Sequence, residues 1–126
     1  MIAAVELLGE TEMKFDQPAS KTKAELLTQI ETGDGEQICT ALISAGLYEP
    51  DRPWVESLVV RMIQNEDPMI RAAAALAAAH VARLHKAISK DIPPLIERLL
   101  DDPLTRGKAL DALDDIRIFV GAPRLT

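Results

Sequence analysis

The sequence predicts an all-α protein of about three stacked helical hairpins, and three observations predict it. Helix-starting caps recur along the chain, and two Asp-Pro steps, Asp67-Pro68 and Asp102-Pro103, stand 35 residues apart with matching apolar stripes before them. The composition agrees: 48% of the 126 residues are hydrophobic but only 3% are aromatic, so the core is built from Ala, Leu, Ile, Val and Met. That mixture favours helices.

Residues 1–21 read as an N-terminal extension in which Ala3 to Leu8 can form a short helix, and Gly9 to Ser20 carries Pro18 and no helical stripe. The first clear helix starts at Thr22-Lys23-Ala24-Glu25. This is a capping box, where the Thr hydroxyl and the Glu carboxylate satisfy backbone N–H groups that the first turn leaves free. Leu26, Leu27 and Ile30 give the apolar face, and Gly33 ends the helix. Asp34 to Gln37 repeats the capping logic, and Ile38, Ala41, Leu42 and Ala45 follow as an i, i+3, i+4, i+7 stripe closed at Gly46.

The second hairpin opens at Asp51, with Pro53 tolerated because first-turn N–H groups lack internal partners. Its stripe is Trp54, Val55, Leu58, Val59, Met62 and Ile63. After Asn65-Glu66, the Asp67-Pro68 cap starts a helix rich in alanine that reaches about Leu84. The third hairpin repeats this pattern. Asp91-Ile92-Pro93-Pro94 opens a helix striped by Leu95, Ile96, Leu99 and Leu100; Asp102-Pro103 opens another, striped by Ala109, Leu110, Leu113, Ile116 and Val120 and ended by Gly121 and Pro123.

Arg71 and Arg106 sit at the same offset from the two Asp-Pro steps. A mid-thirties period made of two helices and a capped turn is the mark of a helical solenoid. An ordinary bundle with two proline-capped helices meets the same pattern, and either reading is all-α.

The segment Asp67-Pro68-x-x-Arg71-Ala72-Ala73-Ala74 resembles the second half of a HEAT repeat, in which Asp-Pro caps the second helix and small residues let neighbouring repeats approach. The resemblance implies a right-handed α-α superhelix of the HEAT/ARM kind. It covers residues 51–84 and 91–120 and departs at 22–46, where Asp34 lacks its proline and no basic residue stands at the Arg71 position. The first hairpin is therefore a repeat or an end cap. The expected organisation is an extension at 1–21, a helical repeat domain at 22–121 and a C-terminal tail at 122–126.

Charge narrows the function. The net charge is −6, with residues 1–46 carrying eight acids against three lysines and residues 47–126 twelve acids against eleven bases. An acidic surface repels phosphate, so sequence-independent nucleic-acid binding is not expected, whereas a basic protein partner is attracted. HEAT-like DNA glycosylases grip the duplex with a basic face, and here the basic residues are interleaved with acids. No stretch approaches the roughly 18 apolar residues of a membrane span. With a lone cysteine, Cys39, and no basic segment before Val5, a reducing cytoplasm is the expected location.

Chemistry is sparse. His80 and His85 are five apart, so they do not form an i, i+4 metal pair, and neither is followed by Glu as in HEAT-like iron hydroxylases. Gly33-Asp34-Gly35 reads as a helix cap rather than a phosphate loop. No catalytic residue, cofactor or metal is expected.

What remains is surface. Lys108, Asp111 and Asp115 lie at i, i+3, i+7 with Asp114 adjacent, so three carboxylates can share one strip of the last helix, although any solvated helix face shows charge. Tyr48 in the loop before Asp51 is a candidate contact of the type enriched at interface hot spots, and Trp54 reads as core filler. Glu36, Tyr48, Asp111, Asp114 and Asp115 are the candidate partner-binding residues. In size, charge and scaffold the chain is similar to immunity proteins of toxin–immunity systems, including contact-dependent growth inhibition. That resemblance implies a protein that occludes a basic toxin domain, for instance a nuclease. The alternatives are an assembly factor with an apolar concave patch and an enzyme or lyase on a HEAT-like frame.

Overall fold

The computed structural model describes residues 18–121, and every described regular element is helical. The helices are α1 (Lys23–Thr32), α2 (Gly35–Tyr48), α3 (Arg52–Met62), α4 (Pro68–His85), α5 (Ile92–Arg98, continued by a 3-10 turn at Leu99–Asp101) and α6 (Arg106–Phe119). The expected helix at residues 3–8 and the tail at 122–126 lie outside the described residues.

Two reciprocal capping boxes start the first hairpin. Thr22 Oγ1 accepts from Glu25 N–H at 3.1 Å while Glu25 Oε1 accepts from Thr22 N–H at 2.8 Å, and Asp34 and Gln37 do the same at 2.9 and 3.1 Å. Asp51 and Asp67 cap α3 and α4 by accepting from Trp54 and Met69 N–H. Asp102 behaves differently: it accepts from Leu104 N–H, but Pro103 to Thr105 form a turn and α6 begins only at Arg106.

Helices α2, α4 and α6 form one layer with α4 in the middle, and each packs on its hairpin partner α1, α3 or α5. Neighbours in the layer run parallel. Cys39 meets the Met69 carbonyl near the start of α2 and α4 and Gly46 meets Ala77 further along, while Arg71 meets Asp102 and Arg83 meets Asp115 between α4 and α6. Lying between two helices and on a third, α4 has no room for large side chains on most of its circumference. Ala72 to Ala75, Ala77, Ala78 and Ala82 are fully buried, as expected for a helix that is apolar nearly all round.

Gly46 does not close α2, which continues to Tyr48. A Cβ on Gly46 would stand 2.8 Å from the Ala77 carbonyl oxygen, so the glycine is there for the close crossing of two helices. Gly33 does end α1, in an extended rather than a left-handed conformation, and a Cβ there would collide with the Gln29 carbonyl oxygen. Gly121, at φ +104°, is the left-handed terminator the sequence suggests. Leu110 and Val120, expected in the α6 stripe, are exposed, and Ala112 takes the buried position.

Glu56 carries no signal in the sequence. Its side chain is 10% exposed, and its Oε2 accepts from Arg52 at 2.8 Å and from the Ser89 N–H at 2.7 Å. One carboxylate thus ties α3 to the loop before α5, a charge-assisted bond in a sheltered place.

Candidate protein-binding surface

The outward face of the α2, α4 and α6 layer is set by helical register. Glu36, Thr40 and Leu47 share it on α2 with Ile43, which is covered, Leu76, His80 and Arg83 on α4, and Lys108, Asp111 and Asp115 on α6. Its central feature is a polar chain across two helices. Arg83 NH2 lies 2.6 Å from His80 Nδ1, and Arg83 NH1 lies 3.9 Å from Asp115 Oδ2. Guanidinium can only donate, so His80 Nδ1 is the acceptor and its proton sits on Nε2. Burial, and then the Arg83 charge, push the His80 pKa down to about 4, which keeps the ring neutral near pH 7.

The three α6 aspartates diverge. Asp115 is half-buried and turned to Arg83, Asp114 is exposed and paired with Arg117 at 3.0 Å, and Asp111 is exposed between them. One residue of α-helix rotates a side chain by about 100°, so Asp114 and Asp115 serve different faces. Glu36 is exposed in the first turn of α2, separated from α6 by α4 and hence by roughly 16–20 Å of two interaxial spacings. Tyr48, placed as the last residue of α2 rather than in a loop, is exposed at the opposite end of that helix. The five candidate residues therefore border a broad face and do not converge on a point.

Trp54 is half-buried against the core and has Lys23 Nζ 5.5 Å from its ring centroid, so its role is packing. At the other end of the molecule, Lys86 is left-handed (φ 56°) and holds its ammonium 4.4 Å from the Phe119 ring centroid. The loop that follows opens a groove of about 460 Å³ lined by Ile88, Pro93, Pro94, Leu113, Ile116 and Val120. No sequence signal marked it, because its walls meet only when the loop, α5 and α6 fold against one another.

Reactive chemistry is not assembled on this face. Among the described residues no group of three or more His, Cys, Asp or Glu could hold a metal ion, and none of the helices is long and apolar enough to cross a membrane. Cys39 is buried, and burial pushes its thiol up to about 11, leaving it protonated at neutral pH.

No protein-family model matches the chain, and no curated protein matches it. Among solved structures it is similar to a chain in the crystal structure of a CDI complex from Cupriavidus taiwanensis LMG 19424. The two share 28% identity with a TM-score of 0.74, over 85% of this chain and 97% of that one.

Proposed function

We propose that this chain is an immunity protein of the contact-dependent growth inhibition type, which binds a toxin domain and neutralises it without catalysis. The observation that carries the reading is the likeness to a chain of a CDI complex, which spans 97% of that chain. The broad charged face supports it, since complementary charge speeds encounter and excludes wrong partners. A basic toxin domain suits the net charge of −6.

The scaffold in this reading is a HEAT-like superhelix over residues 22–121. Two features support it: parallel second helices, and a hydrogen bond that recurs at a 35-residue spacing. Arg71 NH1 donates to the carbonyl six residues before it, Asn65, and Arg106 Nε donates to the carbonyl six residues before it, Leu100. Glu36, Tyr48, Asp111, Asp114 and Asp115 edge the binding surface, with Arg83 and His80 at its centre.

Co-expression tests the function. A toxin-like C-terminal domain encoded beside this chain should arrest growth when expressed alone and be tolerated when this chain is made with it. Continued arrest, with the chain present at equal or higher level, would reject the immunity reading.

A further inference from the structure

The two ends of the stack are finished differently. At the N-terminal end the chain covers itself: Ser44 Oγ, on the side of α2 away from α4, donates to the Ala19 carbonyl at 2.9 Å, and Ser44 is 1% exposed. At the C-terminal end nothing among the described residues lies over the corresponding side of α6. Leu110 is 50% and Ile118 66% exposed, and a Cβ added to Gly107 would meet no atom within 4 Å.

The internal repeat says what such a side is shaped to receive. Gly107, Leu110, Asp114 and Ile118 stand 35 residues after Ala72, Ala75, Ala79 and Arg83, the α4 face turned toward α6. In that packed pair Arg71 spans the junction, holding the Asn65 and Glu66 carbonyls with one nitrogen and Asp102 Oδ2, at the start of the next helix unit, with the other at 2.8 Å. Arg106 makes the equivalent backbone bond to Leu100 at 2.7 Å, and among the described residues no carboxylate pairs with its guanidinium. The end therefore presents Leu110 and Ile118 on either side of the exposed Asp114, beside a cation already oriented by its own backbone.

We propose that this face seats an α-helix of the bound partner, running parallel to α6, with an acidic residue at its N-terminus against Arg106 and aliphatic side chains over Leu110 and Ile118. Charge chooses the occupant's end, because an acidic N-cap meets both the guanidinium and its own helix dipole favourably. A second copy stacked head to tail would bring its own Ala19, whose carbonyl already accepts from Ser44 on α2, against this face. A partner helix does not meet that obstruction. The inference rests on the toxin-binding reading and names the part of the surface that reading leaves open.

The test uses the full chain and the purified toxin-like domain encoded beside it, with binding measured by calorimetry and α6 followed by hydrogen exchange. Wild type should bind and gain protection over residues 107–118. Ile118→Glu and Leu110→Glu should each weaken binding at least tenfold with unchanged thermal melts, and Arg106→Gln should weaken it and reduce its salt dependence. Ile118→Ala serves as a milder variant in case the glutamate disturbs folding, and a loss of a few fold is expected. Wild-type affinity in all four variants overturns the inference while leaving the toxin-binding reading intact. Absence of binding by wild type overturns both, and concentration-dependent self-association abolished by Ile118→Glu assigns the face to a second copy and overturns the inference alone.

Discussion

Arg71 and Asp102 are 31 positions apart in sequence and 2.8 Å apart in space, and their contact joins the second hairpin to the third. The guanidinium is 20% exposed and also holds two backbone carbonyls at the break before α4. One side chain therefore caps a turn and fixes how the next unit docks.

Arg71→Ala should cost about 2 kcal/mol, since hydrogen bonds to charged groups contribute more than neutral ones and three acceptors lose their donor. Urea denaturation checks this: the midpoint should fall at unchanged slope. Arg71→Lys keeps the charge without the fork and should fall between the two. An unchanged midpoint for Arg71→Ala would make the junction dispensable.

Gly46→Ala inverts a familiar rule. In an open helix interior this change stabilises by roughly 0.5–1 kcal/mol. Here the new Cβ would lie 2.8 Å from the Ala77 carbonyl oxygen and 3.0 Å from its Cα, so α2 and α4 must separate. Destabilisation of about 1–3 kcal/mol is expected, and Ala77→Leu, at the same fully buried crossing, should do likewise. A raised melting temperature for Gly46→Ala would contradict the crossing.

His80 gives stability a pH dependence. Its folded pKa of about 4 lies below the 6.5 of a free imidazole, so between those values the unfolded chain binds a proton that the folded chain refuses. Stability from this group is fully present above about pH 6.5 and is lost as pH falls toward 4. Comparing melts of wild type and His80→Gln over that window isolates the contribution: the variant should show the shallower slope. Equal slopes would mean that His80 titrates normally in the folded state.

Cys39 should resist modification. It is buried, with its thiol pushed up to about 11, so a thiol reagent at pH 7.5 should react slowly with the folded chain and rapidly once denaturant is added. Fast stoichiometric labelling of the native protein would place the thiol at the surface.

Replacing Asp111, Asp114 and Asp115 together by Asn should slow association with the toxin domain, most strongly at low salt. Folding should change little, because the Asp114–Arg117 pair is more than half exposed and such pairs contribute about 0–1 kcal/mol. Stopped-flow association at two ionic strengths measures the effect. Identical rates for both proteins at both salts would move the interface away from α6.

The helices were legible because their signals are local. Thr22 with Glu25, Asp34 with Gln37, and Asp67 with Pro68 are short patterns whose chemistry is complete within one turn. Gly46 was misread as a terminator because its reason for being glycine, the Ala77 backbone, is 31 residues away. Pro103 was misread as the first residue of a helix because an Asp-Pro step looks the same whether a helix or a turn follows. The site was less legible for the same cause. The His80–Arg83–Asp115 chain crosses two helices, the groove by Pro93 joins a loop to α6, and the open side of α6 shows only once the repeat is folded.

The most direct test of neutralisation by binding is a titration of toxin activity against this chain at a toxin concentration well above Kd. Activity should fall in a straight line and vanish at one chain per toxin domain, immediately on mixing and with no dependence on incubation time. Loss of activity at far less than one equivalent, growing with time, would reveal turnover and contradict the account, and full activity at several equivalents would contradict it outright.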